Sequence, residues 1–374
     1  KVLEKIILDY YRPTLIYLIN EKRVNGELKG NTPEERYDYF NQELCGSGKI
    51  FGEIEIRFPE INDRIELIVK KYLDLHERVK STFVKDFRFL CDNKFLHSDK
   101  LKPDLDKLEI EVTGDIHDGA GVCIITYNNQ KVVYKRKSSI ANRFLRKIDL
   151  MVSEFFNKEI RFIPNILDRD GYFWEQYINK QKLKNANEAR EYYTNMGFLL
   201  FYAYIFNISD LHFENILSSG KSPILVDVET LFSTSPFEII ADNFATKEIT
   251  QRSRSSVLSS GLLPISEAEK IFGGDLSGIL GGTLVNEFKT VINNYRDDIR
   301  IEKVVQATKY QSHLPFFEYL GQKEYLVATN YVNDIIAGFK LVSDFFLNHK
   351  EEILEVYQQY SDLKTRILFR NTHE

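Results

Sequence analysis

The sequence predicts an α+β chain whose helical opening gives way to an antiparallel β region and then to long helices alternating with short strands. Three observations carry this reading: apolar residues recur at three and four spacing through the first hundred residues, short β-type runs begin near Leu108, and a long helical pattern near residues 186–206 is followed by two short strands.

The opening segment reads as helices over Val2 to Asn20, Thr32 to Glu43 and Glu60 to Leu96, with a Gly-rich break before the second, and it carries no obvious chemistry. Strand-like runs then cover Leu108 to Thr113, Val122 to Tyr127 and Lys131 to Lys135, the last entered through an Asn128-Asn129 turn of hairpin type. Three antiparallel strands are expected. A helix over Ile140 to Asn157, an aromatic strand over Tyr172 to Tyr177 and a long helix over Ala186 to Phe206 follow, with short strands at Asn215 to Leu217 and Pro223 to Asp227. Beyond Thr230 come a polar loop reaching Ser260, a Gly-rich stretch from Gly273 to Gly282, and helical patterns over Ile335 to Asn348 and Glu351 to Ser361. No internal repeat or low-complexity tract interrupts this order.

Composition narrows the function. At 374 residues, two or three packed regions are expected. A formal charge of −5 offers no global basic field for nucleic acid. Cys45, Cys91 and Cys123 lack the spacing of a thiolate zinc site and are too few for a disulfide framework, which suits a reducing cytosol. No apolar run reaches the roughly 18 residues of a membrane span, and no signal pattern opens the chain. It begins at Lys1 rather than Met, as a fragment or a trimmed chain would.

The chemistry-bearing residues come in a telling order. Gly114, Gly119 and Gly121 lie between the first two strands, where glycine lets backbone N–H groups approach phosphate oxygens, although a plain turn has the same composition. Lys135 ends the third strand, where a kinase lysine reaches nucleotide phosphates; strand-end lysines are also commonly solvated. Asp210-Leu211-His212-Phe213-Glu214-Asn215 follows the long helix and reproduces the Asp-to-Asn spacing of a kinase catalytic loop, in which Asp faces the attacking hydroxyl and Asn binds metal. Asp227, between Ile224-Leu225-Val226 and Val228-Glu229, stands where a second metal-binding carboxylate is needed. Each element alone has a bland reading, as turn cap, loop histidine or surface charge. Together they predict a bilobal protein/lipid-kinase-like fold: a helical region over 1–106, an N-lobe with its phosphate loop over 107–180, and a C-lobe with catalytic and metal loops and a helical extension over 181–374. Glu154, on the helix after Lys135, is a candidate to orient that lysine, although a solvated helix-face glutamate fits the pattern better.

These residues resemble the dehydratase domains of class II lanthipeptide synthetases, the LanM type. Gly114-Asp115-Ile116-His117-Asp118-Gly119-Ala120-Gly121 is similar to that family's G-D-x-H-x-x-G pattern, with the glycines placed differently. Asp210 to Asn215 matches D-L-H-x-E-N, and Asp227-Val228-Glu229-Thr230-Leu231 matches D-x-E-T-L. Val133-Tyr134-Lys135-Arg136-Lys137-Ser138 keeps V-Y-K-P-R-S only in part, losing the proline. Ser256-Val257-Leu258, Gly261-Leu262-Leu263-Pro264, Asp275-Leu276-Ser277-Gly278 and a final Arg366 with Arg370-Asn371-Thr372 extend the resemblance along nearly the whole chain.

The resemblance implies ATP-dependent dehydration of Ser and Thr in a precursor peptide with a leader and a core, by phosphorylation and then phosphate elimination. It implies Lys135 on the phosphates, Asn215 and Asp227 on magnesium with Glu229 in support, and Asp210 orienting or deprotonating the hydroxyl. His212 stands where ordinary kinases have a lysine and would steady phosphate or shuttle a proton. Arg366 and Thr372 would cradle the departing phosphate, with Asp115 and His117 near the site in no firm step. A zinc cyclase is expected elsewhere in the full-length protein or nearby, so this chain alone is not expected to close thioether rings. Two other readings share the features: a small-molecule kinase that would not need Arg366 or Thr372, and a truncated module that binds a leader peptide without catalysis.

Overall fold

The computed structural model describes residues 2–117, 120–233, 244–265 and 274–365. The chain divides into two compact units, one of residues 1–130 with 287–306 and one of residues 131–286 with 307–374. Helix and sheet are both abundant, as the α+β reading expects. Among the described residues no helix is long and apolar enough to cross a membrane.

The first unit opens with α1 (Val2–Val24), α2 (Pro33–Tyr39), a π-helical turn at Phe40–Cys45, α3 (Lys49–Arg57) and the 34-residue α4 (Pro59–Asp92). Thr32 starts α2 by accepting the Glu35 N–H, and Glu35 accepts from the Asn31 N–H in return, so two otherwise unpaired donors are satisfied. Leu18, Ile19, Phe40, Ile50 and Ile54 form the core of this helical end. Helix α3 was not foreseen, because Ile50 to Ile56 alternates apolar and charged residues like a strand toward its end; burial of Ile50 and Ile54, four apart, shows the helical period winning. Further on, β1 (Leu108–His117) and β2 (Ala120–Tyr127) form an antiparallel hairpin in the register Leu108↔Tyr127. The ring of Tyr127 packs on Phe83 and Phe87 of α4 at 5.7 and 5.1 Å, which fixes the hairpin to the long helix. Residues 287–306 return to this unit. There Arg36 meets the buried Asp297 at 2.5 Å and Asn20 donates to the Ile299 carbonyl at 2.6 Å.

The second unit holds β3 (Gln130–Lys135), α5 (Ile140–Phe156), β4 (Ile166–Arg169) and β5 (Tyr172–Gln176), with β5 paired antiparallel to both β3 and β4. Then follow α6 (Ala186–Ile205), the hairpin β6 (Ile216–Ser219) and β7 (Ser222–Leu225), and α7 (Phe244–Arg254). Further along the chain the strands β8 (Gly274–Asp275), β9 (Thr283–Ile292), β10 (Arg300–Lys309), β11 (Phe316–Tyr319) and β12 (Gln322–Tyr325) precede α8 (Val332–Asn348) and α9 (Lys350–Gln358), and most of β9 and β10 falls within residues 287–306 of the first unit. Strands after residue 273 were not expected. Most of β10 is exposed, so it lacks the strongly apolar alternation by which strands are recognised. The β11–β12 turn does carry a signal in Leu320-Gly321, both at positive φ.

Helix α6 is buried along most of its length, and Phe198, Leu199, Tyr202 and Phe206 feed the main core with Phe144, Leu145 and Ile148 of α5. It crosses α8 at backbone contact. A Cβ on Gly197 would stand 2.0 Å from the Ile335 carbonyl oxygen, and one on Gly338 would stand 2.0 Å from that of Thr194. Because α6 leads directly into Asp210, this crossing sets where the polar loop begins. Gly338→Ala is expected to cost about 3 kcal/mol by overpacking, with a lower urea midpoint, whereas alanine at the exposed Asn333 of the same helix is expected to change it little.

Asp149 on α5 is wholly buried and accepts the Phe162 N–H at 2.8 Å and the Ile163 N–H at 3.4 Å, holding the chain that enters β4. Its Oδ1 has no partner among the described residues. Burial, only partly offset by these N–H groups and by Arg146 and Arg161, raises its pKa to about 7. The unfolded chain releases this proton near pH 4 and the folded chain near 7, so the contribution to stability is complete below about pH 4 and is lost as pH rises to about 7. Denaturant titrations at pH 5 and 8 should therefore show wild type losing about 2–3 kcal/mol relative to Asp149→Asn.

Candidate active site

Three separated stretches of the second unit meet at Val226. The backbone N–H of Val226, just past β7, donates to the Asn215 carbonyl at 3.0 Å, and its own carbonyl accepts the Lys135 ammonium at 2.6 Å. Lys135 therefore lies beside the chain at Asp227, as its place at the end of β3 leads one to expect. Its side chain is 5% exposed, too little for a solvated surface lysine.

The carboxylate that pairs with Lys135 is not the expected candidate. Glu175 of β5 approaches its Nζ at 2.7 Å and is itself 4% exposed, while Glu154 sits exposed on α5. Strand register explains the choice: Lys135 faces Phe173 across the β3–β5 ladder, so Glu175 is its diagonal neighbour, within reach of two long side chains. Burial raises the pKa of Glu175, with Lys135 opposing.

Asp227 and Glu229 converge on a second lysine. Lys137 Nζ lies 3.1 Å from Asp227 Oδ1 and 2.5 Å from Glu229 Oε1, and Asp227 Oδ1 also accepts the Glu229 N–H at 3.0 Å. Burial works against the Asp227 carboxylate, but the ammonium groups of Lys137 and Lys135 and these hydrogen bonds outweigh it, so its pKa is lowered.

The loop between α6 and β6 presents Asp210 exposed, in a left-handed conformation with φ of 64° that non-glycine residues rarely adopt. Asn215 Nδ2 donates to the Asp210 carbonyl at 2.8 Å, which leaves the amide oxygen as the atom offered to a cation. His212 Nε2 lies 3.2 Å from Asn215 Nδ2 and 3.7 Å from Asp210 Oδ1, and its Nδ1 lies 3.3 Å from the Glu214 N–H. A neutral ring can accept at one nitrogen only: accepting from Glu214 leaves Nε2–H toward Asp210, and accepting from Asn215 leaves Nδ1–H.

This loop is braced from behind. Leu211 N–H donates to the Ser260 carbonyl and Phe213 N–H to the Leu276 carbonyl, while His212 bridges Ser277. Gly278 packs so closely that a Cβ would stand 2.4 Å from the Leu211 carbonyl oxygen. Phe213 stacks on Tyr310 at 5.1 Å and meets the buried ring of His313, whose pKa burial lowers to about 4. The Gly-rich stretch is thus a support for the loop.

Hard oxygen donors on Asn215, Asp227 and Glu229 suit magnesium. Among the described residues no cluster of three His, Cys, Asp or Glu side chains could hold a metal unaided. These residues would supply only part of a magnesium shell, with water or substrate phosphates supplying the rest. Asp115 and His117 are backbone positions at the end of β1, in the first unit. Arg366 and Thr372 lie outside the described residues.

The second unit thus gathers a buried lysine–glutamate pair, Asp210, Asn215 and Asp227 around one loop and one hairpin, and sequence comparison assigns the chain to a family. It belongs to the family described as a domain of unknown function (DUF4135), whose model matches residues 58–374 and which is the domain associated with LanM-type synthetases. The lacticin 481/lactococcin biosynthesis protein LcnDR2 of Lactococcus lactis subsp. lactis is 38% identical over 381 residues, an alignment that takes in 100% of this chain and 41% of that protein. The chain therefore spans about two-fifths of the length of this curated relative.

Removing one partner of a buried pair strands the other charge, so Glu175→Ala is expected to destabilise the protein by about 3–5 kcal/mol, read by urea unfolding. Glu154→Ala should lie within about 0.5 kcal/mol of wild type.

Proposed function

We propose that this chain carries the kinase-like part of a lanthipeptide dehydratase, acting in the cytoplasm on a precursor peptide whose leader directs it and whose core Ser and Thr residues it phosphorylates from ATP and then dehydrates. The observation that carries the reading is the meeting at Val226, which joins Lys135, Asn215 and the chain at Asp227 into one hydrogen-bonded set. Likeness over the whole chain to a lacticin 481/lactococcin biosynthesis protein supports the peptide substrate. On this reading the second unit supplies a catalytic loop and a metal-binding carboxylate of the protein/lipid-kinase kind.

The residues divide the work. Glu175 and the Val226 carbonyl take two of the three N–H donors of Lys135, and the third would serve a phosphate oxygen. Asp210, exposed and held in its unusual backbone conformation, would accept the proton of the attacking Ser or Thr hydroxyl as the hydroxyl oxygen bonds to the γ-phosphorus of ATP and the bond from that phosphorus to the departing ADP breaks. His212, within 3.7 Å of Asp210, would steady the transferring phosphate or relay that proton. Asn215 and Asp227 would hold magnesium with Glu229 in support, and the bound ion would neutralise charge on the transferring group. Elimination then needs a base for the α-proton and donors for the phosphate that leaves as the C–O bond breaks, giving dehydroalanine or dehydrobutyrine. Arg366, with its planar fork, and Thr372 are proposed as those donors, and Asp115 and His117 are assigned no step. A zinc cyclase in the full-length protein or nearby would close the rings.

The two half-reactions separate by mutation. Asp227→Ala should abolish phosphorylation and dehydration alike. Arg366→Ala or Thr372→Ala in the complete synthetase should slow elimination about a hundred- to a thousandfold while leaving phosphoryl transfer intact. Mass spectrometry of peptide incubated with ATP and magnesium should then show added phosphate instead of lost water. Dehydration at the wild-type rate in both variants would remove Arg366 and Thr372 from the elimination step, and a wild-type enzyme that turns over ATP yet neither phosphorylates nor dehydrates the peptide would return the small-molecule-kinase reading.

A further inference from the structure

Lys137 has no part in the reaction just described, yet it is the side chain that holds the two acidic residues of the site together. Its ammonium bridges Asp227 Oδ1 at 3.1 Å and Glu229 Oε1 at 2.5 Å, with the side chain 24% exposed. It lies two residues beyond the buried Lys135, so the end of β3 delivers two cations with different tasks: one paired to Glu175, the other to the carboxylates proposed for metal.

A divalent cation and an ammonium on the same carboxylates repel each other and draw on the same negative charge, so each weakens the binding of the other. We infer that Lys137 is an internal counter-cation of the Asp227–Glu229 pair that competes with the divalent metal, so that metal enters with the nucleotide rather than ahead of it. Nucleotide phosphates supply the additional oxygen ligands and the negative charge that offset displacement of the lysine. This makes Lys137 a positioning residue that also sets the order of loading, and it rests on the assignment of Asp227 as a metal ligand.

Manganese serves as the probe, its free concentration read by electron paramagnetic resonance on the purified protein, with and without a non-hydrolysable ATP analogue. Without nucleotide, Lys137→Met is expected to bind manganese about tenfold more tightly than wild type, the order of a coupling between competing ligands. Lys137→Gln should do the same, and Lys137→Arg, which keeps the charge, should stay near wild type. With the analogue present the gap between wild type and Lys137→Met should narrow. A purely structural role for Lys137 predicts the opposite, with weaker manganese binding in both neutral variants as the carboxylates repel and separate. Unchanged or weaker binding in Lys137→Met and Lys137→Gln, with analogue-dependent binding normal in wild type and lost in Asp227→Asn, would overturn the competition alone. Analogue-dependent manganese binding that survives Asp227→Asn would overturn the metal assignment and the competition together.

Discussion

Lys135 carries its charge to a position that water scarcely reaches, and a buried ammonium is tolerable only where acceptors are already fixed in place. Glu175 supplies one from the neighbouring strand and the Val226 carbonyl another from beyond the second hairpin. Meeting both demands requires β3 and β5 to keep their register and the chain after β7 to pass close by. Since Val226 is also bonded to Asn215, the polar loop is drawn to the same place. The remaining site geometry descends from that requirement. Asp227 follows Val226 in the chain, and its carboxylate meets Lys137, two residues past Lys135.

The packing behind the loop serves the same end by different means. Helix α6 is held against α8 by backbone contact at two glycines, and its end is tied down where Phe232 and Ser233 donate to the carbonyls of Phe206 and Asn207. From there the loop runs over Ser260, Leu276 and Gly278, so that its polar side chains face away from a rigid support. Pre-organisation of this kind holds the side chains of the loop in place without further ordering.

Much of this was legible in the amino-acid order, and the limits have physical causes. The helical opening, the hairpin at β1 and β2, the aromatic strand and the long helix before Asp210 follow from periodicity and turn residues that act over a few positions. The spacing of Asp210, Asn215 and Asp227 likewise survives in one dimension, because one loop and one hairpin connect them. Glu154 was a candidate partner but is exposed, as the solvated helix-face reading had it, and Glu175 was not singled out, since a glutamate in an aromatic strand looks solvent-facing until the partner strand and its register are known. Lys137 was passed over for the same reason: its two partners lie about ninety residues away. The strands after residue 273 escaped because β10 is mostly exposed and β8 is two residues long. Arg366 and Thr372 were read from motif alone, and the described residues end at 365.

The crossing of α6 and α8 also bears on how this protein can vary. Most tight contacts in a core are between side chains, so enlargement on one side can be accommodated by shrinking the other, and paired substitutions allow a lineage to drift. Here the missing Cβ of Gly197 faces the Ile335 carbonyl oxygen and that of Gly338 faces the Thr194 carbonyl oxygen. Neither neighbour is a side chain, so no change of residue type opposite can make room. A mutational library spanning both helices should therefore recover glycine at each position independently, without covariation between them, while the surrounding phenylalanines exchange in compensating pairs.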